Sequence, residues 1–244
     1  MKLVIDIGNT NVKLGVFSLF SKVYFTTISS SKFEKTTKQI LCKYRDIDKI
    51  ILVSVSNLDI SFLERTGLNK EVLVLDHNFE FPFVNNYKSP KTVGLDRLVL
   101  ISAAYSKFPD KNVLVIDAGT CITFDFIDSN HNYNGGSISP GLNMRYMSLN
   151  EHTNKLPLLN PKLPKDFKGV TTDESIHSGV VFGIINEIDG IIELYNKKYD
   201  DLTVVLTGGD ADFLSKQLKS TIFVFSNFLL EGLNFLLESN SKKW

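Results

Sequence analysis

The sequence predicts a duplicated α/β fold, on three observations. Leu3-Val4-Ile5 is a short apolar run that reads as a buried strand; it ends on Asp6, and Gly8-Asn9-Thr10 make a tight turn before a returning strand at 12–17. The pattern returns as Leu114-Val115-Ile116-Asp117-Ala118-Gly119-Thr120. A third turn of small residues, Thr207-Gly208-Gly209-Asp210, follows an apolar strand at 202–206. Such turns present backbone N–H groups and hydroxyls to a polyanion, and glycine lets a ligand come close. Asp6 can hold a hydrated Mg²⁺, and Lys13 can reach a phosphate. Taken alone, the first hairpin reads equally as an ordinary turn capped by its own aspartate. Its recurrence favours a nucleotide-binding fold with halves at 1–108 and 109–244 and the nucleotide between them.

In chain order, the first half continues with a strand at 22–28 and a Ser-rich turn. A helix at 33–44 has apolar spacing at Phe33, Ile40 and Leu41, and a buried strand follows at 50–55. A short helix at 60–66 and a strand at 71–75 come next. Ser54 and Ser56 read as loop caps, with a site-facing role as the alternative. A polar, irregular stretch at 85–97 leads into an apolar helix at 98–105. There Asp96 is either an N-cap with Arg97 as its solvated neighbour, or a general base beside a carboxylate-binding arginine.

The second half opens with the strand at 113–117 and its partner at 123–127. Gly135-Gly136 and Pro140-Gly141 mark a close backbone approach or a constrained turn into a helix. The segment 151–167, with Pro157, Pro161 and Pro164, reads as a mobile loop. Thr171 to Ser175 cap a long helix running to about residue 195. Gly179, Gly183 and Gly190 each weaken that helix by roughly 1 kcal/mol, a cost that predicts close packing against another element. Its many isoleucines and valines form an apolar surface wider than one core stripe needs, which suggests a homodimer through this helix; burial on both sides within one chain is the alternative. After the Gly-Gly turn come a helix at 211–218, a strand at 222–225 and a helix at 229–238.

Composition excludes several classes. Lys plus Arg and Asp plus Glu balance at 27 each, leaving no positive field for nucleic acid or an anionic membrane. Cys42 and Cys121 give neither a disulfide framework nor a zinc site, and the four histidines have no metal-ligand spacing. Only three apolar residues lie between Lys2 and Asp6, too few for a signal-peptide core, and no uninterrupted apolar run approaches the roughly 18 residues of a membrane span. These readings predict a soluble cytoplasmic protein.

The two hairpins and the late Gly-Gly turn together resemble the acetate and sugar kinase/Hsp70/actin superfamily, whose halves are ribonuclease-H-like. More narrowly, Tyr87-x-x-Pro90-x-x-x-Gly94-x-Asp96-Arg97, with Asp6-x-Gly8-Asn9-Thr10 before it and Asp117-Ala118-Gly119-Thr120 and Gly135-Gly136-x-Ile138-x-Pro140-Gly141 after it, resembles the type III pantothenate kinase family over almost the whole chain. Cys121, where the family more often has Ala, and His177 depart from its pattern. The resemblance implies transfer of the ATP γ-phosphoryl to the primary hydroxyl of pantothenate, the first step of coenzyme A biosynthesis. It implies that Asp6, Ile7, Gly8, Asn9, Thr10, Asn11, Val12 and Lys13 bind Mg-ATP, with Thr120, and that Asp6 serves the Mg²⁺. Asp96 would accept the proton; Tyr87, Gly94, Leu95, Asp96, Arg97 and Thr172 would bind pantothenate; Asp117 would help hold K⁺ or NH₄⁺. It also implies a dimer.

The chemistry agrees with these roles. Phosphoryl transfer needs positioning and charge stabilisation more than covalent catalysis, and a hydroxyl nucleophile needs a carboxylate to take its proton. An arginine fork with Tyr and Thr hydroxyls suits a small carboxylate. Two rival readings stand beside this one: another small-molecule kinase of the superfamily, and a non-catalytic nucleotide-binding regulator.

Overall fold

A computed structural model describes residues 1–66 and 70–240. They fall into two compact units. Unit 1 holds Met1–Pro109, His131–Tyr133 and the described residues from Asn227; unit 2 holds Asp110–Asn130 and Asn134–Ser226.

In unit 1, β1 (Lys2–Ile7), β2 (Asn11–Ser18) and β3 (Ser21–Ser29) form an antiparallel meander. After α1 (Phe33–Lys43), β4 (Lys49–Ser54) lies parallel to β1, and β5 (Glu71–Val74) parallel to β4. The sheet order is β3-β2-β1-β4-β5. Leu3, Val4, Ile5 and Ile7 are fully buried because β1 is covered on both faces. Leu3, Ile5 and Ile7 pack with Leu14, Phe33, Ile40 and Leu41, each such side chain worth roughly 1.5–3 kcal/mol of transfer free energy.

The short strand β6 (Val84–Asn85) and the helix α2 (Leu95–Lys107) follow. The C-terminal helix α6 (Phe228–Asn240) belongs to this unit as well, although the sequence division at 108/109 counts it with the second half. Its fully buried Phe228, Leu230 and Leu233 and its Gly232, set against Val99 of α2, account for that. Asn234 donates to the Leu19 carbonyl at 2.8 Å, and Glu231 pairs with Lys107 at 2.9 Å.

Unit 2 repeats the plan. β7 (Val113–Ala118) pairs antiparallel with β8 (Cys121–Ile127), which neighbours β9 (Asn132–Pro140). The helices α3 (Leu142–Glu151) and α4 (Thr172–Asn196) come next. β10 (Thr203–Thr207) lies parallel to β7, α5 (Ala211–Ser215) follows, and β11 (Phe223–Val224) lies parallel to β10. The second sheet has six strands in the order β11-β10-β7-β8-β9-β6, and its first five match β5-β4-β1-β2-β3 strand for strand. The duplication expected from Asp6-x-Gly8 and Asp117-x-Gly119 is therefore a duplication of topology.

α4 starts where the Thr171 side chain accepts from the Glu174 amide at 3.2 Å and Glu174 accepts from Val170 N at 2.9 Å. By length and composition alone α4 could cross a membrane, although no single apolar run in the sequence is that long. Its Val181, Ile184, Ile188 and Ile192 instead pack with Leu114, Ile116, Phe124 and Phe126 in the core of unit 2. This corrects the reading of Ile184 and Ile188 as interface residues: both are fully buried within the chain. The three glycines have no close partner either; nothing lies within 4 Å of a Cβ at Gly179 or Gly190, and the nearest atom to one at Gly183 is 3.9 Å away, on Arg145.

Other differences are local. α2 starts at Leu95, three residues ahead of the expected helix, with Gly94 as N-cap, so Asp96 is not the cap and Arg97 sits in the first turn. Residues 132–140 are a strand in which Gly136 lies against the Phe124 backbone, the close approach expected of the Gly-Gly pair, and a helix follows directly at Leu142. The proline-rich segment after α3 is anchored by Asn150 Nδ2 to the Leu156 carbonyl at 2.8 Å and by the Ser178 hydroxyl to the Phe167 carbonyl.

Candidate active site

In unit 1 the β1–β2 ladder places Asp6 opposite Lys13. The Lys13 Nζ lies 3.6 Å from the Asp6 carboxylate, which is only 7% exposed. The turn between the strands is closed by Gly8 N donating to the Asn11 carbonyl at 3.1 Å, leaving Asn9, Thr10 and Asn11 exposed. Ile7 and Val12 flank the turn as fully buried anchors. Burial pushes the Asp6 carboxyl up to about 6, Lys13 pulls it down less, and the Asp96 carboxylate raises it further. Asp6, Lys13 and Asp96 thus form one electrostatic cluster. Ser54 lies outside it: its hydroxyl donates to the Ser56 carbonyl at 2.8 Å and accepts from Ser56 N, the loop-cap role.

The start of α2 supplies the second part. Asp96 Oδ1 accepts from Arg97 N at 2.9 Å, and a Cβ at position 94 would lie 2.3 Å from that same oxygen. Gly94 therefore allows the carboxylate to fold back over the helix start, and Leu95 carries the chain into the first turn. Arg97 is 5% exposed, which removes the solvated-neighbour reading. Its guanidinium lies 5.7 Å from the Tyr87 ring centroid, a cation–π contact in a largely desolvated setting. Tyr87 stacks on Tyr133, centroids 6.2 Å apart and planes 8° apart.

In unit 2, Asp117 occupies the place of Asp6, near the end of the strand, and Thr123 faces it where Lys13 faces Asp6. Gly119 N donates to the Cys121 carbonyl at 3.0 Å, and Thr120 is exposed at the turn. The Gly-Gly turn closes onto the same strand end, Asp210 N donating to the Ala118 carbonyl at 3.0 Å. Gly208 has φ +98°, and a Cβ there would meet Ala118 O at 2.2 Å, so only glycine fits. Thr172 is exposed at the first position of α4.

Sequence reasoning missed Tyr133 and gave Arg145 no role. Arg145 bonds the Pro140 carbonyl and the Ser139 hydroxyl, both at 2.9 Å, and pairs with Glu187 of α4. It thereby ties down the junction whose Gly141 N donates to the Thr120 carbonyl at 3.1 Å. No local spacing signals either residue, since both act through elements distant in sequence. His177 holds no ligand position; its Nδ1 lies 2.8 Å from the Tyr146 hydroxyl.

The residues fit a magnesium-bound nucleotide. A buried carboxylate whose pKa is raised despite a neighbouring lysine carries negative charge that a cation would offset. Among the described residues no three His, Cys, Asp or Glu side chains cluster as a metal site. Asp6 with phosphate oxygens and water is the donor set that remains, and Mg²⁺ is commonly held in that way.

The model of a family described as type III pantothenate kinase matches residues 2–194. A protein of that name from Christiangramia forsetii is 46% identical over 244 residues, covering 98% of this chain and 99% of its own. Another, from Flavobacterium johnsoniae, is 44% identical over 234 residues, covering 96% of each. Among solved structures, the activator of the 2-hydroxyisocaproyl-CoA dehydratase from Clostridium difficile, with bound ADPNP, aligns with a TM-score of 0.55 at 14% identity over 99% of this chain and 96% of that one. At that identity the likeness is one of fold, and the fold is that of the actin-like ATPases and sugar kinases.

Proposed function

The chain belongs to the type III pantothenate kinase family, and from that premise we propose how its residues divide the work of one reaction. The protein is an ATP-dependent pantothenate kinase, a phosphotransferase acting on an alcohol. Asp6, Ile7, Gly8, Asn9, Thr10, Asn11, Val12 and Lys13 bind the phosphates, with Thr120 of the second hairpin as a further ligand. Asp6 would hold Mg²⁺ together with ATP, and the ion would supply positive charge to the phosphate oxygens. Lys13 adds a compact positive charge on the same side.

Asp96 is the general base. It takes the proton from the primary hydroxyl of pantothenate as that oxygen bonds to the γ-phosphorus and the bond to ADP breaks. Arg97 reads the substrate carboxylate, and Tyr87, Gly94, Leu95 and Thr172 complete the pantothenate site. Asp117, a second strand-end carboxylate, serves K⁺ or NH₄⁺. We read 1–108 and 109–244 as the two copies of the duplicated unit, the chain as a cytoplasmic homodimer, and neither nucleic acid nor membrane as a partner.

The observation that carries the residue assignment is the cluster of buried Asp6 with half-buried Lys13 and Asp96, with Arg97 stacked on Tyr87 beside it. A nucleotide-binding regulator has no use for a base next to a buried carboxylate reader. ADP release measured with and without pantothenate tests the function directly. Release that is independent of pantothenate under every monovalent cation tried would reject it.

A further inference from the structure

The loop that carries Tyr87 is held by Tyr133, a residue 46 positions later in the chain and fully buried. Backbone and side chain both take part. Asn85 pairs with Tyr133 in the β6–β9 ladder, and Asn86 N donates to the Tyr133 carbonyl at 3.0 Å, so the loop is fixed one residue before Tyr87. The Tyr133 ring then lies nearly parallel to that of Tyr87, 6.2 Å away and tilted by 8°. Phe83 meets the Tyr133 ring edge-on at 6.1 Å, and Phe81 continues the row at 5.6 Å from Phe83. At the other end the Arg97 guanidinium sits 5.7 Å from the Tyr87 centroid.

A guanidinium with a free stem samples many rotamers, and a fork recognises a carboxylate only in a fixed orientation. Tyr87 gives Arg97 a flat surface to rest on. That surface is itself set by the ring of Tyr133, whose position is fixed by the strand ladder and by Phe83. We propose that Tyr133 is a positioning residue for pantothenate recognition: through its stack on Tyr87 it fixes the plane against which Arg97 presents its guanidinium. With no exposed surface, Tyr133 cannot itself meet the substrate. The inference rests on the reading of Tyr87 and Arg97 as pantothenate-binding residues.

Steady-state kinetics on the full-length chain test it, with Tyr133→Leu, Tyr133→Phe, Tyr87→Leu, Arg97→Ala and the Tyr133→Leu/Tyr87→Leu double variant. Tyr133→Leu keeps apolar bulk but loses the flat ring; the pantothenate KM should rise about 10-fold, the scale of one desolvated cation–π contact. The KM for ATP and kcat should stay within about 2-fold, and Tyr133→Phe should restore the pantothenate KM. The double variant should be no worse than Tyr87→Leu alone, because the two rings act in series. An unchanged pantothenate KM in Tyr133→Leu, or a parallel loss in kcat and both KM values, overturns the inference. If Tyr133→Leu does not fold, Tyr133→Phe combined with Phe83→Leu asks the same question of the ring's support, and an unchanged pantothenate KM there is equally fatal. Arg97→Ala separates the two levels. An unchanged pantothenate KM in that variant rejects the site assignment itself, whereas a raised one beside a normal Tyr133→Leu rejects only the role of Tyr133.

Discussion

Asp6 and Lys13 face each other across the β1–β2 ladder, 3.6 Å apart, yet the lysine does not bring the carboxyl back to its ordinary value. Burial outweighs the ion pair, and Asp96 adds to it, so the folded value is about 6 against 3.8 when exposed. The folded chain then binds this proton more tightly than the unfolded chain. Asp6 favours folding fully below about pH 4, and that contribution is lost as the pH rises through about 6. The whole swing amounts to roughly 3 kcal/mol, at about 1.4 kcal/mol for each pH unit of displacement. Asp6→Asn should therefore melt several degrees higher than the parent at pH 8 without nucleotide, with the gap closing toward pH 4, while its kinase activity collapses. Thermal melts across that range check it; an Asn variant less stable at pH 8 would show that the ion pair outweighs burial.

Asp96 tests the division between binding and chemistry. It lies in the first turn of α2, where the helix end tolerates a negative charge, and its Oδ1 accepts from the next amide. Asp96→Asn keeps that acceptor and removes the base. We expect kcat to fall by roughly 10²–10⁴-fold with the KM for ATP little changed. A near-normal kcat would reduce Asp96 to a structural role.

Arg97 should show the opposite pattern. A charge-assisted bond to a carboxylate contributes roughly 1.5–3 kcal/mol, so Arg97→Ala should raise the pantothenate KM by about 10–100-fold. Arg97→Lys should recover little, because an ammonium lacks the planar fork and stacks poorly on Tyr87. Full rescue by lysine would mean that charge alone is read.

The strand ends, the turns and the duplication were legible because their signals are local. Asp6-x-Gly8 and Asp117-x-Gly119 each announce a carboxylate at the end of a buried strand, and the paired topologies agree. What the sequence left open depends on contacts between distant segments. The glycines at 135–141 signalled a close backbone approach or a turn into a helix, and Gly136 does lie against the Phe124 backbone; that residues 132–140 form a strand beside β8 was not legible, because the pairing is with a distant segment. The helix start at Leu95 was hidden by the polar residues before it, since Gly94 caps without a side-chain bond. The isoleucines of α4 overstated an external surface because a helix packed under a sheet across a wide face has the same composition as one shared between chains.

Asp117 carries the prediction on monovalent ions. It repeats Asp6 in the ladder, with Thr123 opposite it where Lys13 stands opposite Asp6. We propose that a monovalent ion held at this second strand-end carboxylate would offset charge near the phosphates. Activity should be several-fold higher in K⁺ or NH₄⁺ than in Na⁺ at equal ionic strength, and Asp117→Asn should abolish the difference. Equal rates in all three salts for the parent chain would reject this role.

Assembly through α4 needs a different probe from its isoleucines. Ile184 and Ile188 are fully buried inside unit 2, so an aspartate at either would place an unpaired charge in that core and unfold the chain. The face left open carries Gly179 and Gly183, with exposed Leu194 farther along and Met144 and Met147 on α3. No atom of another element lies within 4 Å of a Cβ at Gly179, and the position is exposed, so a side chain there starts out into open space. Gly179→Arg should even gain roughly 1 kcal/mol of helix propensity. If the homodimer forms across this face, that variant should keep its melting temperature at low concentration yet run as a monomer by light scattering. Its pantothenate KM should rise more than its KM for ATP, since Thr172 opens the same helix. A parent chain that is a fully active monomer at assay concentration, or a Gly179→Arg variant that stays dimeric, would place the interface elsewhere or remove it.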